Sequence, residues 1–329
     1  MKSAVVAIGG NALIGAGERG TIDQEFAHAR VIARDVAGMV ARGWRVVLTH
    51  GNGPQVGFIL HRSALTAALA PELPGLALDY GVAETQGGLG YVLGNSLGNA
   101  LRRLGRPEKV VTVLTQTVVA ADDPAFRRPT KPIGSFYSRE EGSRLSQRYG
   151  WRMAEDSGRG YRRVVASPRP LRIVEAPAIA SLLRQGFLVI AAGGGGVPVV
   201  EKVPGQLRGV EAVIDKDLAS ALLALELGAE LLVLCTQIER VAINFGRPDL
   251  RFLDNLTLPE AEGYLAQGQF PAGSMGPKVQ AAIEFLRGGG KEALITATDR
   301  LAEALAGGTG TRLRPGLGSP AAGPRAPRS

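Results

Sequence analysis

The chain has 329 residues, 45% hydrophobic and 21% charged, which suits one large α/β layer structure or two domains and excludes a disordered or fibrous protein. Its 38 Lys and Arg against 30 Asp and Glu give a net charge of +8, but the arginines are scattered rather than gathered into a stripe, which argues against a nucleic-acid surface and fits an anionic substrate. One cysteine, Cys235, excludes an internal disulfide framework and a cysteine-based zinc cluster, and the histidines at 28, 50 and 61 have no metal-site spacing. No apolar run approaches the roughly 18 residues of a membrane helix, and Ala4–Ile8 is too short for a signal-peptide core, so the expectation is a soluble cytoplasmic protein.

Along the chain, Ser3–Ile8 is an apolar, β-branched run that stops at Gly9-Gly10-Asn11, a buried strand feeding a Gly-rich turn. From Asp23 the positions Phe26, Ala29, Ile32, Ala33, Val36 and Val40 follow helical spacing, and Gly43 ends that helix. Trp44–Leu48 is a second strand, closed by Thr49-His50-Gly51-Asn52-Gly53-Pro54. Val82, Leu89, Val92, Leu93, Leu97 and Leu101 predict a long helix up to Gly105, and Val110–Leu114 another strand. This alternation argues for parallel βαβ units. The region from about Val118 to Pro170 is dense in charge and turn residues, and it predicts an excursion from the sheet, a small lid subdomain. The α/β pattern resumes with a helix over Ala178–Gln185, a strand over Phe187–Ala191 ending in Gly193–Gly196, and a helix over Leu218–Leu227. A strand at Leu231–Leu234, a helix at Val279–Leu286 and a strand at Ala293–Thr296 follow. The expected organisation is a catalytic domain over 1–314, with its lid at roughly 118–170, and a disordered Gly/Pro/Arg-rich tail over 315–329.

In an open parallel sheet, ligands bind beyond the carboxyl ends of the strands. Three Gly-rich turns follow predicted strands there: Gly9-Gly10-Asn11, Gly51-Asn52-Gly53 and Gly193–Gly196. Glycine lets the backbone approach a ligand and turn its N–H groups to an anion, and helices starting just after such turns would add positive potential. The chain has no P-loop, no Rossmann fingerprint directly after a strand and no nucleophile elbow.

Lysine occurs at only seven positions, 2, 109, 131, 202, 216, 278 and 291, so 31 of the basic residues are arginines. A lysine inside a Gly- or Pro-rich motif is therefore informative here. Lys131 lies in Pro129-Thr130-Lys131-Pro132, Lys216 in Asp215-Lys216-Asp217 and Lys278 in Gly273-Ser274-Met275-Gly276-Pro277-Lys278. Lys216 between two carboxylates is equally readable as a helix cap with an ion pair. Phosphoryl transfer needs in-line positioning and cations around the equatorial oxygens, which compact ammonium groups, backbone amides and one Mg²⁺ would supply.

These segments resemble those of the carbamate kinases, within the amino-acid kinase superfamily. The matching stretches are Ala7–Leu13, Thr49–Gly57, Asp123–Phe126, Pro129–Gly134, Asp156–Val165, Gly193–Pro198, Glu211–Asp217 and Gly273–Lys278, in family order over about residues 4–312. The resemblance implies a three-layer α/β/α sandwich around a mainly parallel central sheet, with a small protruding lid. It also implies a homodimer of arginine metabolism and the reversible, Mg²⁺-dependent reaction of ATP with carbamate to give ADP and carbamoyl phosphate. It places Gly9, Gly10, Asn11, Gly51, Asn52, Gly53 and Gly194 on the carbamate and transferred phosphate, and Lys131, Lys216, Asp217 and Lys278 in catalysis. Asp215, Thr236, Gln237, Ile238, Ala272, Gly273, Ser274 and Met275, with Lys278, fall to the nucleotide. No protein metal site is implied, the Mg²⁺ being held mainly by the nucleotide phosphates. Many superfamily relatives carry a lysine before the first Gly-Gly; here Ala7-Ile8 stands there, so Lys131 or Lys216 must supply that charge. The family's nucleotide strand usually ends in Thr-Asp or Thr-Gly, whereas this chain has Thr236-Gln237. Competing readings are a kinase acting on an acylated amino acid and a weakly catalytic nucleotide or carbamoyl-phosphate sensor, motivated by Gln237 and the basic tail.

Overall fold

The computed structural model describes residues 2–15, 17–106, 109–156, 158–271 and 273–316. The tail expected over 315–329 thus lies, from residue 317 on, outside the described residues. The chain opens with β1 (Ser3–Ile8), α1 (Ile22–Ala41), β2 (Arg45–His50), α2 (Gln55–Leu69), α3 (Leu78–Arg103) and β3 (Val110–Thr112). α1 starts on a capping box in which Thr21 and Gln24 satisfy each other's backbone amides, and it ends before Gly43, whose φ is +84°. β4 (Gln116–Val119) leads out to β5 (Lys131–Tyr137), α4 (Arg139–Tyr149), β6 (Met153–Glu155) and β7 (Tyr161–Val165), and β8 (Pro170–Ile173) leads back. The second half runs through α5 (Ala176–Arg184), β9 (Leu188–Ile190), β10 (Val197–Val203), β11 (Gln206–Gly209), α6 (Lys216–Glu226) and β12 (Leu231–Thr236). It continues with β13 (Val241–Ile243), β14 (Arg251–Leu253), β15 (Asn255–Thr257), α7 (Leu258–Ala266), α8 (Met275–Arg287), β16 (Glu292–Ala297), α9 (Leu301–Ala306) and β17 (Thr311–Arg314).

The central sheet has eight strands in the order β15-β17-β16-β12-β1-β2-β9-β3, parallel throughout except between β16 and β17. Its two faces carry separate cores, because successive residues of a strand point to opposite sides. In β1, Val5 and Ala7 pack with residues of α5, α6 and α8, while Ala4, Val6 and Ile8 pack with residues of α1 and α3. All five of these side chains after Ser3 are fully buried, which accounts for the continuous apolar run in the sequence. The result is helix, sheet and helix in three layers.

From β1 the chain first builds outward through β2, β9 and β3, and later through β12, β16 and β17 on the other side. β1 and β12 are therefore where the winding reverses, and a crevice opens beyond their carboxyl ends. The segment 118–170 divides in two. Val118, Val119 and Pro170 belong to a second, four-stranded sheet of order β11-β10-β4-β8. The protruding part is the antiparallel sheet β5-β7-β6 with α4. Its base meets α2 so closely that a Cβ on Gly57 would stand 2.1 Å from the Cα of Gly134, a separation only paired glycines permit. Ile133 and Val165 at that base are buried with Val56, Leu60, Leu78, Val82 and Val213. No helix among the described residues is long and apolar enough to cross a membrane.

Candidate active site

Beyond β1 and β2 two Gly-rich turns touch backbone to backbone. A Cβ on Gly10 would lie 2.8 Å from the amide nitrogen of Gly53, and one on Gly51 would lie 2.7 Å from the Cα of Gly10. Of the three turns, only Gly51-Asn52-Gly53 opens a full helix, α2. Gly10–Leu13 is a single 3₁₀ turn, and Gly193–Gly196 runs directly into β10. A helix N-terminus thus stands behind only one of the three turns. Gly194, at φ +66°, lies against the side chain of Asn52. The Asn52 amide is tied at one end to the Thr85 hydroxyl at 2.6 Å, and its other end has no protein partner among the described residues. A buried amide left half-satisfied beside a cavity suits a ligand oxygen.

Buried polar groups fix this floor. The Thr49 hydroxyl bonds Ser220 at 2.6 Å, and Ser220 in turn donates to the carbonyl of Lys216, also at 2.6 Å, which ties the end of β2 to the start of α6. Gln86 donates to the carbonyl of Thr115 and accepts from its amide, at 2.9 and 2.8 Å, clamping the bend after β3. His50 Nδ1 donates to the carbonyl of Gly51 at 2.9 Å. Burial pushes His50 down to about 4, so the ring is neutral at pH 7. Its folded value lies below the unfolded one, so its contribution is complete above about pH 6.5 and is lost as the pH falls toward 4. Two to three pK units correspond to about 3 kcal/mol. We expect urea unfolding of a His50→Asn variant to show a shallower loss of stability between pH 6.5 and 4 than the parent. Identical slopes would contradict a neutral buried ring.

Three lysines from three separate segments converge on the cavity facing this floor. Lys131 comes from the first position of β5, Lys216 from the first turn of α6 and Lys278 from the first turn of α8. Lys216 and Lys278 both bond Asp217, at 2.5 Å to Oδ1 and 2.9 Å to Oδ2. Lys131 donates to Asp215 Oδ2 at 2.5 Å. Asp215 is the N-cap of α6, its Oδ1 accepting from the amides of Asp217 and Leu218. The capping reading of the Asp-Lys-Asp segment thus holds for Asp215, and Lys216 lines the cavity.

The electrostatics follow from burial and pairing. Burial alone would raise the Asp217 carboxyl, but the ammonium groups of Lys216 and Lys278 outweigh it and hold the group well below the usual carboxylate range. Burial acts on Asp215 in the same direction and Lys131 outweighs it, so this carboxyl is lowered too. For Lys216 burial wins and the ammonium is lowered, with Lys278 adding to that and Asp217 opposing it. For Lys278 the Asp217 carboxylate wins over burial, and the ammonium is raised. Four cations, Lys131, Arg162, Lys216 and Lys278, against the carboxylates of Asp215 and Asp217 leave a net positive site of about 560 Å³.

Gly9, Gly10, Gly51, Asn52, Gly53, Gly194, Asp215, Thr236, Gln237, Gly273 and Ser274 line this cavity with the three lysines and Asp217. Of the other residues singled out in the sequence, Asn11 lies in the 3₁₀ turn beside Gly10, and Ala272 lies outside the described residues. Met275 packs into the core beneath α8, and Ile238 stands half-exposed outside the lining. Gln237, just beyond β12, brings no charge to the cavity. The Cys235 thiol is fully buried and pushed up to about 12 by that burial, as a packing residue should be. Arg162, Ser167, Thr130 and Thr298 line the cavity as well and had no assignment in the sequence reading. Arg162 is held by Gly134 O at 3.1 Å and Asp156 at 3.1 Å, and it stacks on Phe136. Its place in Gly160-Tyr161-Arg162-Arg163, one of the matching stretches, was the available signal, masked by 31 arginines in the chain.

A family model described as the amino acid kinase family matches residues 2–297. The carbamate kinase of Thermococcus kodakarensis is 47% identical over 95% of this chain and 99% of its own length. The carbamate kinase-like protein YahI of Escherichia coli is 48% identical over 94% of this chain and 98% of its own. A solved structure of carbamate kinase from Giardia lamblia bound to AMP-PNP superposes with a TM-score of 0.86 at 40% identity, covering 95% of this chain and 98% of that one.

Proposed function

Because the chain belongs to the amino acid kinase family, we propose that its reaction is that of a carbamate kinase, the reversible transfer of a phosphoryl group between ATP and carbamate. The observation that carries this reading is the meeting of three lysines, oriented by two carboxylates, opposite a floor of glycine backbone. The carbamate oxygen attacks the γ-phosphorus in line. As that P–O bond forms, the bond from phosphorus to the β,γ-bridging oxygen breaks and its electron pair leaves with ADP. Carbamate is already an anionic nucleophile, so no general base is required; His50, neutral and turned to Gly51, is not one.

In this reading Gly9, Gly10, Asn11, Gly51, Asn52, Gly53 and Gly194 hold the carbamoyl and transferred phosphoryl oxygens. Lys131 and Lys216 spread positive charge over the oxygens in flight, and Asp217 aims Lys216 and Lys278. Lys278, with Thr236, Gln237, Gly273 and Ser274, takes the nucleotide end, while Asp215 faces Lys131. Among the described residues no three His, Cys, Asp or Glu gather as a metal site, and both cavity carboxylates already bind lysines. With both cavity carboxylates occupied by lysines, Mg²⁺ would be held by the nucleotide phosphates and would offset part of their charge. The reading includes a homodimer, as the family resemblance implies, and a cytoplasmic enzyme.

The test is ATP formation from ADP and carbamoyl phosphate, with and without Mg²⁺. Mg²⁺-dependent ATP formation is the expected result. Phosphorylation of N-acetylglutamate in its place would move the chain to another acceptor class. Tight ADP binding with no transfer to or from either acceptor would make it a sensor.

A further inference from the structure

Asp217 serves two lysines that both arise from the core, but Lys131 arrives from the protruding sheet and needs its own anchor across the cavity. The two oxygens of Asp215 do different work. Oδ1 accepts from the amides of Asp217 and Leu218 at 2.9 and 3.4 Å, which fixes the carboxylate on the helix start. Oδ2 accepts from Lys131 Nζ at 2.5 Å, 84 residues away in sequence. An ammonium has three N–H groups, so one bond to Asp215 leaves two for phosphoryl oxygens. Other charges near Asp215 are Lys216, Lys278 and Asp217, and both of these lysines are engaged with Asp217.

We propose that Asp215 is a positioning residue, a tether that holds the lid lysine Lys131 in the cavity before substrate arrives and aims it during transfer. A long, partly exposed lysine side chain is thereby ordered in advance by a helix cap. The proposal rests on the carbamate kinase reading for its catalytic consequence but not for its geometry, and the test separates the two.

Asp215→Asn retains an oxygen for the cap, since Asn caps helices about as well as Asp, and removes the charge facing Lys131. We expect its ATP formation to fall about 10- to 100-fold in kcat, with KM for ADP changed less than about twofold. Lys131→Gln falls likewise, and the double variant is no slower than Lys131→Gln alone, because Asp215 acts through Lys131. If Asp215→Asn costs the same factor in both backgrounds, or raises KM for ADP alone, Asp215 is a nucleotide ligand and the tether is wrong. A second readout needs no turnover. In the ligand-free protein, acylation of Lys131 by a small amine reagent, followed by mass spectrometry, should run several-fold faster in Asp215→Asn than in the parent, with Lys2 and Lys291 unchanged. Equal rates at Lys131 overturn the tether. Absence of ATP formation by the parent protein overturns the proposed reaction and leaves the labelling result to decide the tether by itself.

Discussion

Lys216→Ala and Lys278→Ala each lower ATP formation from ADP and carbamoyl phosphate by about 10²–10³-fold while the protein stays folded. The chemistry contains no proton transfer, so its barrier falls through charge placed around the phosphoryl group, and each ammonium is a large share of that charge. Folding survives either change because Asp217 keeps one partner, at 2.5 Å in one variant or 2.9 Å in the other. The double variant behaves differently. With both cations gone, a carboxylate with 5% side-chain exposure remains unpaired. Breaking a buried pair in this way costs about 3–5 kcal/mol, so the double variant should melt far below either single one. Arginine at 216 or 278 rescues poorly, since its planar fork is larger and directional where the site holds a compact, 11–12% exposed ammonium. Coupled ATP assays with thermal melts of all variants check this, and near-normal turnover by both alanine variants would remove the lysines from the mechanism.

Gly51→Ala is expected to reduce turnover below about 1% of the parent and to cost about 1–3 kcal/mol of stability. The added Cβ would stand 2.7 Å from Gly10 Cα and 2.8 Å from Gly10 N, both backbone atoms at the end of buried β1, so no side-chain rotation relieves the clash. The two turns must separate, and the cradle they form separates with them. Lys216 Cδ, 3.4 Å from the same Cβ, is displaced as well. Gly263→Ala in α7, where nothing lies within 4 Å of the added methyl, is the matched control and should leave turnover unchanged. Equal activity of Gly51→Ala and the control would show that the cradle is not where the reaction takes place.

Local pattern carried much of the fold. Ser3–Ile8 was legible to the residue, because a strand buried on both faces is an unbroken apolar run. The helices at 22–41 and 78–103 showed through their spacing, although α3 begins at Leu78, ahead of the first periodic residue assigned to it. α2 passed unread: only Gln55, Val56 and Leu60 of its residues are buried, so its apolar stripe is short and interrupted at Gly57. Composition marked a charged, turn-rich stretch but could not tell strands β4 and β8, which pair with each other and with β10, from the protruding strands between them.

Sequence alone determined the alternation of strands and helices, the glycines that let two turns touch, and which three of seven lysines sit in motifs rather than on the surface. Spacing, turn chemistry and composition are local properties, and they survive in a linear reading. Only the tertiary structure decided that Lys131 meets Asp215 across 84 positions and Lys278 meets Asp217 across 61, that Arg162 joins them, and that Met275 and Ile238 do not. Such pairings depend on the order in which strands assemble about β1 and on how α6, α8 and the lid pack above their ends. That order is set by burial of both sheet faces at once, a global free energy that no short segment contains.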